Sequence, residues 1–135
     1  MRYLTADEIA ALHVYLMVER WQEKLYGLRD AGLLESAAIR PQNAAEYEDA
    51  DVFDQAARLW EGITVNHPFV QGNKRTAYAA MEVFLRLNGW ICDAPNRDLI
   101  DTCLALATGE IDAGGAAEWL RTHTRRIAEH GPRTD

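Results

Sequence analysis

Hydrophobic residues recur at three- and four-residue steps through most of this chain. Ile9, Leu12 and Leu16, continued by Trp21 and Leu25, keep one stripe apolar behind a capping box made by Thr5 and Glu8. That spacing predicts a first helix from Ala6 to about Leu25, closed by Gly27. Asp30 suits the cap of a short second helix through Leu33, Leu34 and Ala37, stopped before Pro41 because the residue ahead of a proline avoids helical geometry. Val52, Phe53, Ala56, Ala57, Trp60 and Ile63 predict a third helix from Asp51 to near Val65. Ala77, Ala80, Met81, Phe84 and Leu85 predict a fourth, starting at Asn73 or Lys74 and ending at Asn88 and Gly89. Pro95 opens another through Leu99, Ile100, Cys103, Leu104 and Leu106, closed by Gly109. Asp112 caps a last one through Ala116, Ala117, Trp119 and Leu120.

Alternation of period two never lasts more than a few residues, so the expected fold is all-α: one compact helical domain over residues 1–128 and a frayed tail over 129–135. The exceptions the pattern allows are one short hairpin and an extended flap. The flap candidate is "NAAEYEDADVF", which carries the acidic run Glu46 to Asp54 without a clear period and reads as a solvated face sooner than a metal site. Met17, Met81, Phe84, Trp60 and Trp119 sit at helical spacing and are expected in the core.

A length of 135 residues is that of a single domain able to bury a core without cross-links. Apolar residues at 48% and charged residues at 26% place it among ordinary soluble globular proteins. The formal charge of -7 counts against direct nucleic-acid binding, since neutralising phosphates needs a basic face; a small RNA-cleaving protein is thereby disfavoured. Cys92 and Cys103 have neither CxxC nor Cys/His ligand spacing, which fits a reducing cytosol. The opening "MRYLTADEIAALHVYLMVER" has charges throughout and resembles neither a signal peptide nor a membrane span, so a cytoplasmic location without membrane contact is expected.

One stretch departs from the surrounding composition: "NHPFVQGNKRTA", residues Asn66 to Ala77. A turn at Gly72 feeding straight into a helix leaves backbone N–H groups unpaired at the positive end of the helix dipole. Lys74 and Arg75 in that first turn oppose the dipole by a few tenths to about one kcal/mol unless an anion sits there, and a phosphate suits both the N–H groups and the arginine fork. His67, at the exit of the preceding helix, can fold back over the same place, where a neutral imidazole is suited to accept a hydroxyl proton. Pro68 stiffens the loop and Phe69 anchors it. His13, His123 and His130 have no motif around them and are expected to be structural.

The segment "HPFVQGNKRTA" resembles the signature of the Fic/Doc superfamily, H-P-F-x-(D/E)-G-N-G-R-x-x-R, and more closely its Doc branch, the "death on curing" toxins. In that branch a lysine replaces the glycine between Asn and Arg and the final arginine is absent; here those positions are Lys74 and Tyr78. "GLRDAGLLESAAIRPQ", "YEDADVFDQAA", "FLRLNG" and "ATGEI" extend the resemblance over residues 3 to 122. It implies a compact six- or seven-helix fold, a Phd-like inhibitory antitoxin as partner, and a kinase that passes the γ-phosphate of ATP to a threonine of elongation factor Tu or a similar protein, arresting translation. Carried over, His67 is the base, Phe69 the loop anchor, and Gly72, Asn73, Lys74 and Arg75 the phosphate cradle. The Lys74 side chain stands where AMP-transferring relatives have bare backbone, which favours phosphate over AMP transfer.

Gln71 departs from the pattern. Relatives carry Asp or Glu there as a ligand of Mg2+, and a neutral amide oxygen is a weaker ligand for a hard cation. Gln71 can serve through its carbonyl oxygen or a water, a carboxylate of the acidic run can supply the charge, or the domain has lost or changed its activity and works as a module through its antitoxin.

Overall fold

The computed structural model describes residues 1–128, which fold as six α-helices and one small sheet. The expected frayed tail and His130 lie outside the described residues. Helix α3 (Val52–Asn66) is the centre. It buries residues on nearly every side, Ala56, Ala57, Leu59, Trp60 and Ile63 among them, because α2 (Ala31–Glu48), α4 (Asn73–Leu87), α5 (Asn96–Thr108) and α6 (Ala113–His123) all pack on it. Gly62 lets α2 approach closely: a Cβ there would stand 3.3 Å from the Ala37 Cβ. The capping boxes at Thr5–Glu8 and Asp51–Asp54, and the Asp30 and Asp112 caps, fix the starts of α1 (Ala6–Tyr15), α3, α2 and α6. Among the described residues, no helix is long and apolar enough to cross a membrane.

Two helix boundaries differ from the pattern. Helix α1 does not continue to Leu25; it passes into a π-helical turn at Leu16–Arg20 and ends, leaving Trp21 and Leu25 exposed. The chain from Trp21 to Asp30 instead runs along the motif loop, where Val70 N–H donates to the Gly27 carbonyl and the N–H groups of Arg29 and Asp30 donate to the Pro68 carbonyl. Those long-range bonds satisfy backbone groups that a longer helix would have paired internally.

Helix α2 runs through Pro41 to Glu48, so the acidic flap does not exist as an extended segment; only Asp49 to Asp51 connect α2 to α3. A proline inside a helix costs about 3 kcal/mol. The stripe Leu34, Ala37, Pro41 and Ala44 offsets it, because the proline ring is itself buried in the face that packs on α3. Among the described residues, the exception to an all-α fold is the antiparallel pair β1 (Trp90–Cys92) and β2 (Thr124–Arg126), whose strands flank α5 and α6 and tie the end of α6 to the exit of α4.

Candidate active site

His67 ends α3 as its C-cap, in left-handed geometry at φ 51° and ψ 55°. A residue other than glycine there carries modest strain. Its backbone is held from outside the helix: Arg29 donates from Nε to the His67 carbonyl at 2.7 Å and from Nη2 to the Asn66 carbonyl at 3.1 Å. A guanidinium on the last carbonyls also lies well in the field of the helix dipole. Asn66 in turn donates to the Leu33 carbonyl at 3.0 Å. The imidazole itself is exposed and makes no hydrogen bond to the described residues. Its backbone is clamped and its side chain is free.

The loop then dives inward. Phe69 is 1% exposed, and the Asn73 carboxamide bridges both sides of its peptide, accepting from the Phe69 N–H at 2.9 Å and donating to its carbonyl at 3.0 Å. Asn73 therefore holds the loop with its side chain, and what it offers an anion is its backbone N–H. Gly72 precedes it at φ 78° as the N-cap of α4 and supplies no side-chain cap. A Cβ on Gly72 would come within 2.5 Å of the Met17 Sδ, so only glycine both turns here and lies flat on Met17.

Lys74 is exposed in the first turn of α4. Arg75 beside it lies 4.6 Å over the Trp21 ring and 3.4 Å from Glu23 Oε2. Both cations border a groove of about 240 Å³ whose apolar wall includes Leu99, Ile100, Cys103 and Leu104. A larger cavity, about 600 Å³, lies between α5 and α6 and is lined by none of the motif residues. Tyr78, at the position of the absent arginine, donates its phenol to Glu82 at 3.1 Å; burial, then the Glu82 charge, push its ionisation well above the usual range.

Gln71 turns to the segment that follows α1. Its amide nitrogen donates to the Leu25 carbonyl and, at 3.4 Å, to Glu23 Oε1. Three carboxylates of the acidic run are paired elsewhere: Glu48 with Arg58, and Asp51 and Asp54 with Arg121. The carboxylate at hand is Glu23, already facing Arg75. Among the described residues no three His, Cys, Asp or Glu converge as a metal site.

Four residues outside the motif thus belong to the site: His13, Trp21, Glu23 and Arg29. His13 is fully buried, its ring stacked on Phe69 with centroids 3.8 Å apart. Burial, then the charge of Arg75, lower its pKa to about 4. Its signal in the sequence was a histidine on a buried stripe, four residues after Ile9 and four before Met17. The other three lie in a segment expected to be helical or turn, where nothing local points to the loop.

Residues 3–85 match the Fic/DOC family. The chain is 35% identical over 123 residues to the protein kinase doc of Escherichia phage P1, covering 90% of this chain and 94% of that one. It is 47% identical over 64 residues to the toxin Doc of Mycolicibacterium smegmatis, covering 46% and 49% of the two chains.

Proposed function

The chain belongs to the Fic/Doc family, on its Doc branch, and from that premise we propose that it is a toxin that transfers the γ-phosphate of ATP to a hydroxyl of a protein, elongation factor Tu or a similar target. The observation that carries this reading is the free, exposed imidazole of His67 on a clamped backbone, one loop away from an uncapped helix N-terminus bearing Lys74 and Arg75. His67 takes the hydroxyl proton as the oxygen bonds to phosphorus. The bond to the bridging oxygen breaks, and ADP departs with the electron pair. The N–H groups of Asn73 and the residues after it, with Lys74 and Arg75, stabilise the charge spread over the phosphoryl oxygens. Arg75 is available because its half-exposed pair with Glu23, at 3.4 Å, is of a kind worth about 1 kcal/mol, which a phosphate can displace.

The donor set does not suit a protein-held magnesium: Gln71 offers one neutral oxygen and its amide nitrogen is bound elsewhere. No step of the transfer is routed through a metal. AMP transfer is disfavoured by the Lys74 side chain and by Tyr78, which is bonded to Glu82 where that chemistry has an arginine. Transfer of the γ label of ATP to purified elongation factor Tu, with none from α-labelled ATP and none by His67→Ala, is the expected result. Transfer of the α label, or of neither, sinks the reading.

The same Gln71 contacts favour a second reading, a catalytically weakened module that acts through a Phd-like antitoxin. Equal growth of strains expressing the chain and its His67→Ala form, without an antitoxin, would select it.

A further inference from the structure

His13 sits beneath both ends of the motif loop, and its hydrogen bonds define its state. The Gly27 N–H points at Nε2 from 3.2 Å, so Nε2 is the unprotonated acceptor and the proton is on Nδ1. Nδ1–H then donates to the Thr76 hydroxyl at 2.9 Å. The ring is nearly parallel to Phe69, at 8°, and its Cε1 lies 3.5 Å from where a Gly72 Cβ would be. One imidazole thus joins α1, the Trp21 to Asp30 segment, the loop at Phe69 and the first turns of α4.

An apolar side chain of similar size would fill this space but leave the Gly27 N–H and the buried Thr76 hydroxyl without their partner. A polar side chain without a ring would lose the support under Phe69. The residues between the two contacts, Phe69 and Thr76, are the phosphate cradle, and His67 is two positions before the first.

We infer that His13 is a positioning residue for the transfer step: its ring sets the height and tilt of the His67 to Arg75 loop by supporting Phe69 and tethering Thr76. The kinetic part of this inference rests on the phosphoryl-transfer reading; the structural part does not.

Two variants test it from opposite sides of the hydrogen bond. His13→Phe keeps a ring under Phe69 and loses both polar contacts, and Thr76→Val removes the hydroxyl at nearly constant volume. Amide hydrogen exchange is measured at Phe69, Val70 and Thr76, with Ala116 in α6 as control, under conditions where thermal melts show each variant folded. Loop protection is expected to fall by about tenfold or more while Ala116 is unchanged. Steady-state transfer to the protein hydroxyl should show kcat lowered by about tenfold or more and KM for ATP within about threefold, the signature of lost alignment as opposed to lost binding. Unchanged loop protection in both variants, or an unchanged kcat in a folded variant, overturns the inference. A wild-type protein that transfers no phosphate refutes the proposed function, and the exchange measurement then decides the role of His13 by itself.

Discussion

Acid should destabilise this protein through His13, beginning at a higher pH than through its paired carboxylates. The folded chain holds His13 neutral down to about pH 4, against 6.5 for an ordinary imidazole, first because burial disfavours the cation and next because Arg75 repels it. Between those values the unfolded chain takes up a proton that the folded chain refuses, so lowering the pH pulls the equilibrium toward unfolding. The contribution is fully present above pH 6.5 and is lost progressively down to about pH 4. At about 1.4 kcal/mol per pH unit, the gap amounts to roughly 3 kcal/mol, a large part of the 5–15 kcal/mol typical of a domain. Protonation would also turn Nε2 into a donor facing the Gly27 N–H, which adds a broken hydrogen bond to the desolvated charge. The assay is urea unfolding at half-unit steps from pH 7 to pH 3.5, wild type beside His13→Gln, which cannot titrate. Carboxylates titrate alike in both, so the difference between the two curves isolates His13. The wild-type advantage over His13→Gln should shrink by roughly 3 kcal/mol from pH 6.5 to 4 and change little below. Parallel curves across that window, or His13 titrating near pH 6.5 by NMR, would refute the reasoning.

His67→Ala should leave urea stability within about 0.5 kcal/mol, because the imidazole is exposed and unbonded. It should also abolish growth arrest on expression without a partner and lower phosphate transfer by at least about a hundredfold. Gly72→Ala combines a left-handed φ with a Cβ inside the Met17 thioether, and denaturant unfolding should report a loss of about 2–3 kcal/mol, part of it recovered by Met17→Ala. Asn73→Ala leaves the buried Phe69 N–H without its acceptor; a loss of about 1–3 kcal/mol with increased exchange of that amide is expected, and an unchanged exchange rate would show the loop holding itself without the clamp.

The helices were legible because their signals are local. Thr5, Asp30, Asp51 and Asp112 accept N–H groups three residues ahead, and the apolar stripes of α3 and α4 face the core as their spacing requires. The two boundary errors share a cause. Intrinsic preference stops a helix before Pro41 and carries one past Trp21, while the conformations there are set by distant partners: the α3 face in one case and the backbone of the motif loop in the other. Three carboxylates of the acidic run are likewise placed by distant partners, since Arg58 and Arg121 reach Glu48, Asp51 and Asp54 from other turns and other helices.

By itself the sequence determined the family, the helical class, and the placing of His67 before a glycine turn and an α4 that opens with two cations, because each depends on residues within about one loop of each other. Only the tertiary structure decided what surrounds them: that Arg29 clamps the backbone of His67, that His13 underlies Phe69 and Thr76, that Gln71 reaches Leu25 and Glu23. Those contacts join residues 38 to 63 positions apart, and such a pairing follows from how α1 and the segment after it fold across α3 and α4, which no local period or motif encodes.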